Sequence, residues 1–72
     1  MKVRLFAILR EIAGTDYIII NDKNNENEII NEIINKVPKL KEYLIKNGKI
    51  NEKYKILINK DEVYILPPFT GG

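Results

Sequence analysis

The sequence predicts an α+β domain in which a mixed four-stranded sheet carries one main helix and a short second helix on one face. Three observations predict it. Apolar residues alternate with a period of two near both ends of the chain, apolar residues recur at helical spacing in the middle, and only a tight turn separates the last two strand-like runs. With 72 residues there is one domain, able to bury only about 60% of its unfolded surface, so the core must be efficient.

Residues 2–10 read as a strand, with Val3, Leu5, Ala7 and Leu9 on the core face and Lys2, Arg4, Phe6, Ile8 and Arg10 on the other. Glu11-Ile12-Ala13-Gly14 breaks the alternation with a turn or single helical turn closed by glycine. Residues 16–20 form a second, β-branched strand antiparallel to the first. From Asn25 the period changes. Ile29, Ile30, Ile33, Ile34 and Val37 share one helical stripe opposite Glu28, Asn31, Glu32 and Asn35. Asn25 is the expected N-cap, with Glu28 three positions on as its reciprocal partner. Pro38 ends this helix and opens a second, short one that carries Leu40 and Leu44 and closes at Asn47-Gly48. Residues 54–59 and 62–66 form the last two strands across a turn around Asn59-Lys60-Asp61.

Burying the isoleucine stripe requires the helix to lie across one face of the sheet, with the first and last strands central and parallel. That arrangement is a β-grasp, or ubiquitin-like, fold. A ferredoxin-like alternative needs a substantial helix between the last two strands, and residues 59–62 have no room for one.

Composition narrows the function. The chain has no cysteine and no histidine, so it lacks a cysteine nucleophile, thiolate and imidazole metal ligands, and the usual neutral-pH general base. A self-contained enzyme and a metal site are not expected. A net charge of +2 is too small to indicate nucleic-acid binding, and the lysines at 36, 39, 41, 46, 49, 53 and 55 read as a solvated face, alternating with acids or capping helix ends. Tyr17, Tyr43, Tyr54 and Tyr64 are scattered and read as packing residues. No apolar run is long enough to span a membrane and no signal peptide is evident, so a cytoplasmic protein is expected.

The segment Pro67-Pro68-Phe69-Thr70-Gly71-Gly72 is the most informative for function. It divides the chain into a folded body, residues 1–66, and a tail, residues 67–72. Two prolines stiffen its root in an extended exit from the last strand, and two glycines leave its tip free of side chains. Extended, the tail spans roughly 20 Å, enough to thread a partner's narrow channel. Phe69 reads as an anchor in a partner's groove. A docking surface is expected on the outer face of the first strand, where Phe6 and Ile8 sit between Arg4 and Arg10 and are joined by Ile65 from the neighbouring strand.

Two blocks carry a resemblance: Leu5-Phe6-Ala7-Ile8-Leu9-Arg10-Glu11-Ile12-Ala13-Gly14 near the start and Leu66-Pro67-Pro68-Phe69-Thr70-Gly71-Gly72 at the end. In this order, around a β-grasp pattern, the chain resembles the MoaD/ThiS sulfur carriers, and especially the small subunit of molybdopterin synthase. One departure stands out. Members of that family usually carry an Asn-Gly turn, a further short strand and a Gly-Asp-Glu-Val lead-in to the final strand, whereas Ile58-Asn59-Lys60-Asp61-Glu62-Val63 joins the last strands almost directly.

The resemblance implies that an E1-like adenylyltransferase uses ATP to activate the Gly72 carboxylate and that a sulfur donor converts it to a thiocarboxylate. The carrier would then enter the large catalytic subunit of molybdopterin synthase and give up its sulfur in molybdenum cofactor biosynthesis. The carrier binds no cofactor of its own in this scheme. It also implies that Phe6 and Arg10 face the activating enzyme. The same activated tail would serve a ubiquitin-like protein modifier of the archaeal small-modifier type, conjugated through Gly72, or a carrier for tRNA thiolation or thiamine. A non-catalytic β-grasp interaction module is a further alternative.

Overall fold

The computed structural model describes residues 1–23 and 25–68. Strand β1 (Lys2–Leu5) is followed by helix α1 (Ile8–Ala13), strand β2 (Tyr17–Ile19) and the main helix α2 (Glu26–Lys36). A 3-10 turn (Pro38–Leu40) leads into the short helix α3 (Lys41–Leu44), then strands β3 (Ile45–Lys46), β4 (Lys49–Ile50), β5 (Lys55–Asn59) and β6 (Glu62–Leu66).

The main sheet has the order β2-β1-β6-β5, with β1 and β6 central and parallel and both outer pairs antiparallel. This is the expected β-grasp arrangement. One face of the sheet sends Val3, Leu5, Ile18, Val63 and Ile65 into a continuous core with Ile29, Ile30 and Ile33 of α2 and with Leu40 and Leu44. Each such side chain contributes about 1.5–3 kcal/mol on burial. Ile34 and Val37, at the margin of the isoleucine stripe, are half-buried against the same cluster.

Helix α2 starts where the cap signal places it. The Asn25 side chain accepts hydrogen bonds from the backbone N–H groups of Asn27 (2.8 Å) and Glu28 (3.3 Å), satisfying two donors that have no partner within the helix. It stops at Lys36, and Pro38 opens the 3-10 turn.

Two local expectations are corrected. The first strand ends at Leu5, not at residue 10. Ala7 takes φ 52° and ψ −125°, an exposed turn conformation that costs a non-glycine residue about 1–3 kcal/mol, and Leu9 N–H closes the turn onto Phe6 C=O at 3.1 Å. Ile8 and Arg10 therefore belong to α1. Leu9 reaches the core from the helix instead of from a strand, and Gly14 closes α1 in the left-handed conformation at φ 76°.

The second correction concerns Asn47-Gly48. It does not close the second helix, which ends at Leu44. Both residues have positive φ, 55° and 77°, and form the turn of the small antiparallel β3–β4 hairpin. An Asn-Gly turn with a short strand thus lies ahead of β5, not between β5 and β6. Beyond the hairpin, Asn51 ties the chain back: its N–H donates to Leu44 C=O (2.7 Å) and its side-chain amide to Tyr43 C=O (3.1 Å).

Candidate functional site

The tail leaves the sheet from its middle. β6 ends at Leu66, half-buried Pro67 and exposed Pro68 follow, and Phe69, Thr70, Gly71 and Gly72 lie outside the described residues. The register shows what surrounds the root. At that end of the sheet stand Leu5 and Phe6 at the close of β1, and Lys55 opposite Leu66 at the start of β5.

Among the described residues no helix covers the second face of the sheet, and the register lays its residues in rows. Tyr17, Arg4, Tyr64 and Leu57 form one row, and Ile19, Lys2, Glu62 and Asn59 the next. Tyr17, Ile19 and Leu57 are each more than 40% exposed, a large apolar share for an outer face. Polar contacts tie the charged members together. Arg4 Nε lies 3.3 Å from Glu62 Oε2, and Tyr64 Oη donates to Glu62 Oε1 at 2.8 Å. Lys2 Nζ sits 4.6 Å from the centre of the Tyr17 ring.

This network sets the titration of its members. The hydrogen bond from Tyr64, helped by the charge of Arg4, holds the Glu62 carboxyl below the usual glutamate range. The same bond, and the negative charge behind it, push the Tyr64 phenol up. The face is thus an apolar field with a fixed charge pair at its centre.

The expected docking residues are only partly brought together. Phe6 is half-buried on this side, its ring 6.3 Å from that of Tyr64 at a tilted 51°. Arg4 lies beside them. Ile8 and Arg10 are exposed but stand on α1, off the strand. Ile65 is a correction: it is fully buried, pairing in register with Leu5 in the core. Tyr64 occupies the outward position that Ile65 was expected to hold. Sequence reasoning also missed Tyr17, Ile19 and Leu57; the alternation of residues 16–20 and 55–59 carried that signal.

Among the described residues no group of three His, Cys, Asp or Glu side chains is placed to hold a metal ion. No helix there is long and apolar enough to cross a membrane. What the arrangement offers is a chain that leaves the centre of the sheet through Pro67 and Pro68, beside an apolar face.

Comparison with known proteins agrees with this architecture. No curated protein sequence matches the chain. Among solved structures, the chain is similar to small archaeal modifier protein 1 from Methanosarcina acetivorans, with 29% identity and a TM-score of 0.82, over 99% of this chain and 94% of that one. It shares its fold with SAMP1 from Haloferax volcanii, at 20% identity and a TM-score of 0.81, over 99% and 97% of the two chains. The sequence profile of the ThiS family matches residues 3–72, tail included, and the chain, a β-grasp domain, belongs to that family.

Proposed function

We propose that the chain is a sulfur carrier charged at the carboxylate of Gly72, acting as the small, MoaD-like subunit of molybdopterin synthase. The observation that carries this reading is the family match running through Pro67-Pro68-Phe69-Thr70-Gly71-Gly72, combined with a sheet that delivers Pro67 and Pro68 from its central strand.

The chemistry follows from the tail. A carboxylate is a poor electrophile. Attack of its oxygen on the α-phosphorus of ATP, in an E1-like partner, forms an acyl adenylate and releases pyrophosphate. Hydrosulfide, supplied by the donor, then attacks the acyl carbon, expels AMP and loses its proton, leaving a C–S bond where a C–O bond stood. The resulting thiocarboxylate is a soft nucleophile for the sulfur acceptor held by the large subunit. In this scheme Gly71 and Thr70 keep the tip slender, Phe69 anchors it in the channel, Pro67 and Pro68 hold the root extended, and Phe6, Ile8 and Arg10 meet the activating enzyme.

Mass spectrometry of protein drawn from cells containing the cognate activating enzyme tests the reading. A gain of about 16 Da at Gly72, the replacement of O by S, is expected. A carboxylate that stays unmodified would sink the proposal.

The similarity to small archaeal modifier protein 1 favours a second reading, in which lysine amines of other proteins attack the activated acyl carbon of Gly72 and expel AMP, forming isopeptide bonds. A tagged chain would then yield a ladder of larger conjugates on a blot. A pure carrier yields none.

A further inference from the structure

Charge is unevenly spread along this chain. Between residues 36 and 60 stand eight lysines against two glutamates, Glu42 and Glu52, a net of +6 in a chain whose total is +2. All eight are exposed. Among the described residues no ion pair joins them to an acid: the pairs found there are Met1 with Asp22 and Arg4 with Glu62. Lys36 occupies the last turn of α2, where a positive charge is favourable, and Lys39 and Lys41 lie in and just after the 3-10 turn.

Lys46, Lys49, Lys53 and Lys55 have no such account. Lys46 and Lys49 are directly paired across the β3–β4 hairpin, a juxtaposition of like charges that destabilises a two-stranded ribbon. Lys46, Lys49 and Lys53 line one open hollow, with Glu52 as its acid. Lys53 is held in place, its N–H donating to the Asn51 side chain at 3.0 Å while Asn51 is bonded to the end of α3. Two residues on, Lys55 faces Leu66, from which the tail departs.

We propose that Lys46, Lys49, Lys53 and Lys55 form a basic collar on the β5 side of the tail root, which docks against an acidic protein surface bordering the channel that receives the tail. This rests on the carrier reading and adds the chemistry of the partner. A protein fits better than a nucleic acid. Lys55 stands at the tail root, two residues before exposed Leu57, and the four positions hold no arginine, while Tyr43 and Tyr54 pack against the core and are not available for base stacking. Clustered charge of one sign steers the encounter, raising association rates by about 10- to 1000-fold at low salt.

ATP–pyrophosphate exchange by the cognate E1-like enzyme tests the collar, comparing the wild type, the quadruple variant Lys46→Glu/Lys49→Glu/Lys53→Glu/Lys55→Glu, and Lys60→Glu. Lys60 lies in the β5–β6 turn, at the opposite end of the sheet. Circular dichroism melts establish that all three fold. At low salt the quadruple variant is expected to lose at least about tenfold in kcat/KM, with the gap closing as salt shortens the screening length toward about 3 Å near 1 M. Lys60→Glu is expected to change it by less than about twofold. Exchange indifferent to the four reversals, or a loss that persists in high salt, would overturn the collar alone. No exchange with the wild type would instead remove the carrier reading beneath it. Fluorescence anisotropy with a labelled single-stranded RNA completes the test: salt-sensitive binding that the quadruple variant abolishes, with exchange untouched, would overturn the protein partner in favour of nucleic acid.

Discussion

The two faces of the main sheet are built from the same strands and answer to different physical demands. Toward the helices, Val3, Leu5, Val63 and Ile65 are at most 1% exposed and interlock with the α2 isoleucines. Away from them, the intervening residues Lys2, Arg4, Glu62 and Tyr64 mix charge and aromatic surface, flanked by exposed Tyr17, Ile19 and Leu57. Packing density dictates the inner face and leaves it little chemical freedom. The outer face carries little of the fold's stability and is free to specialise in recognition.

Truncating the inner face gives the largest effect. Ile65→Ala is expected to cost about 2–5 kcal/mol in urea denaturation, a large share of the stability of so small a domain. A loss below about 1 kcal/mol would erase the contrast between the faces.

Phe6→Ala sharpens the boundary between them. It removes the tilted contact with Tyr64 and is expected to cost about 1 kcal/mol, as a half-buried aromatic pair should, together with weaker engagement of the activating enzyme.

A pH series isolates the outer-face charge pair. Because folding lowers the Glu62 pKa, its contribution is present above the ordinary glutamate range and is lost as pH falls through the lower, folded value. The Tyr64 contribution has the opposite sense, present below the ordinary tyrosine range and lost as pH rises through its raised value. The stability gap between wild type and Glu62→Gln, followed by denaturation midpoints, is therefore expected to narrow on acidification. A gap that widens would break the assignment.

Smallest of all is Ile19→Ser, on a residue 54% exposed. Its unfolding free energy is expected to change by no more than about 0.5 kcal/mol, while affinity for the activating enzyme falls. A large loss of stability would mean that the outer face supports the fold after all.

Much of this contrast was legible in the residues, and the exceptions have physical causes. The period of α2, the Asn25 cap and the central parallel pair followed from patterning, because burial on one face enforces periodicity. The end of β1 did not. Leu5, Ala7 and Leu9 continue the alternation through a backbone break at Ala7, a site with neither glycine nor proline to mark it. Strands β3 and β4 have two residues each, too few to show a period, and only the Asn-Gly pair signalled their turn. Ile65 was misplaced although Glu62-Val63-Tyr64-Ile65 alternates cleanly and puts Val63 and Ile65 on the same side. The tail, by contrast, is legible from the order of its residues, two prolines directly behind the last strand and two glycines after them, since its chemistry lies in its residue types.

The central position of β6 also has a mechanical consequence. A partner that grips and draws on the tail pulls along a strand held by hydrogen bonds to neighbours on both flanks, parallel β1 and antiparallel β5. Load applied along the strand is shared by many bonds at once, whereas an edge strand would peel away one bond at a time. A pull along β6 is therefore resisted by both ladders together, and the body holds until both give way.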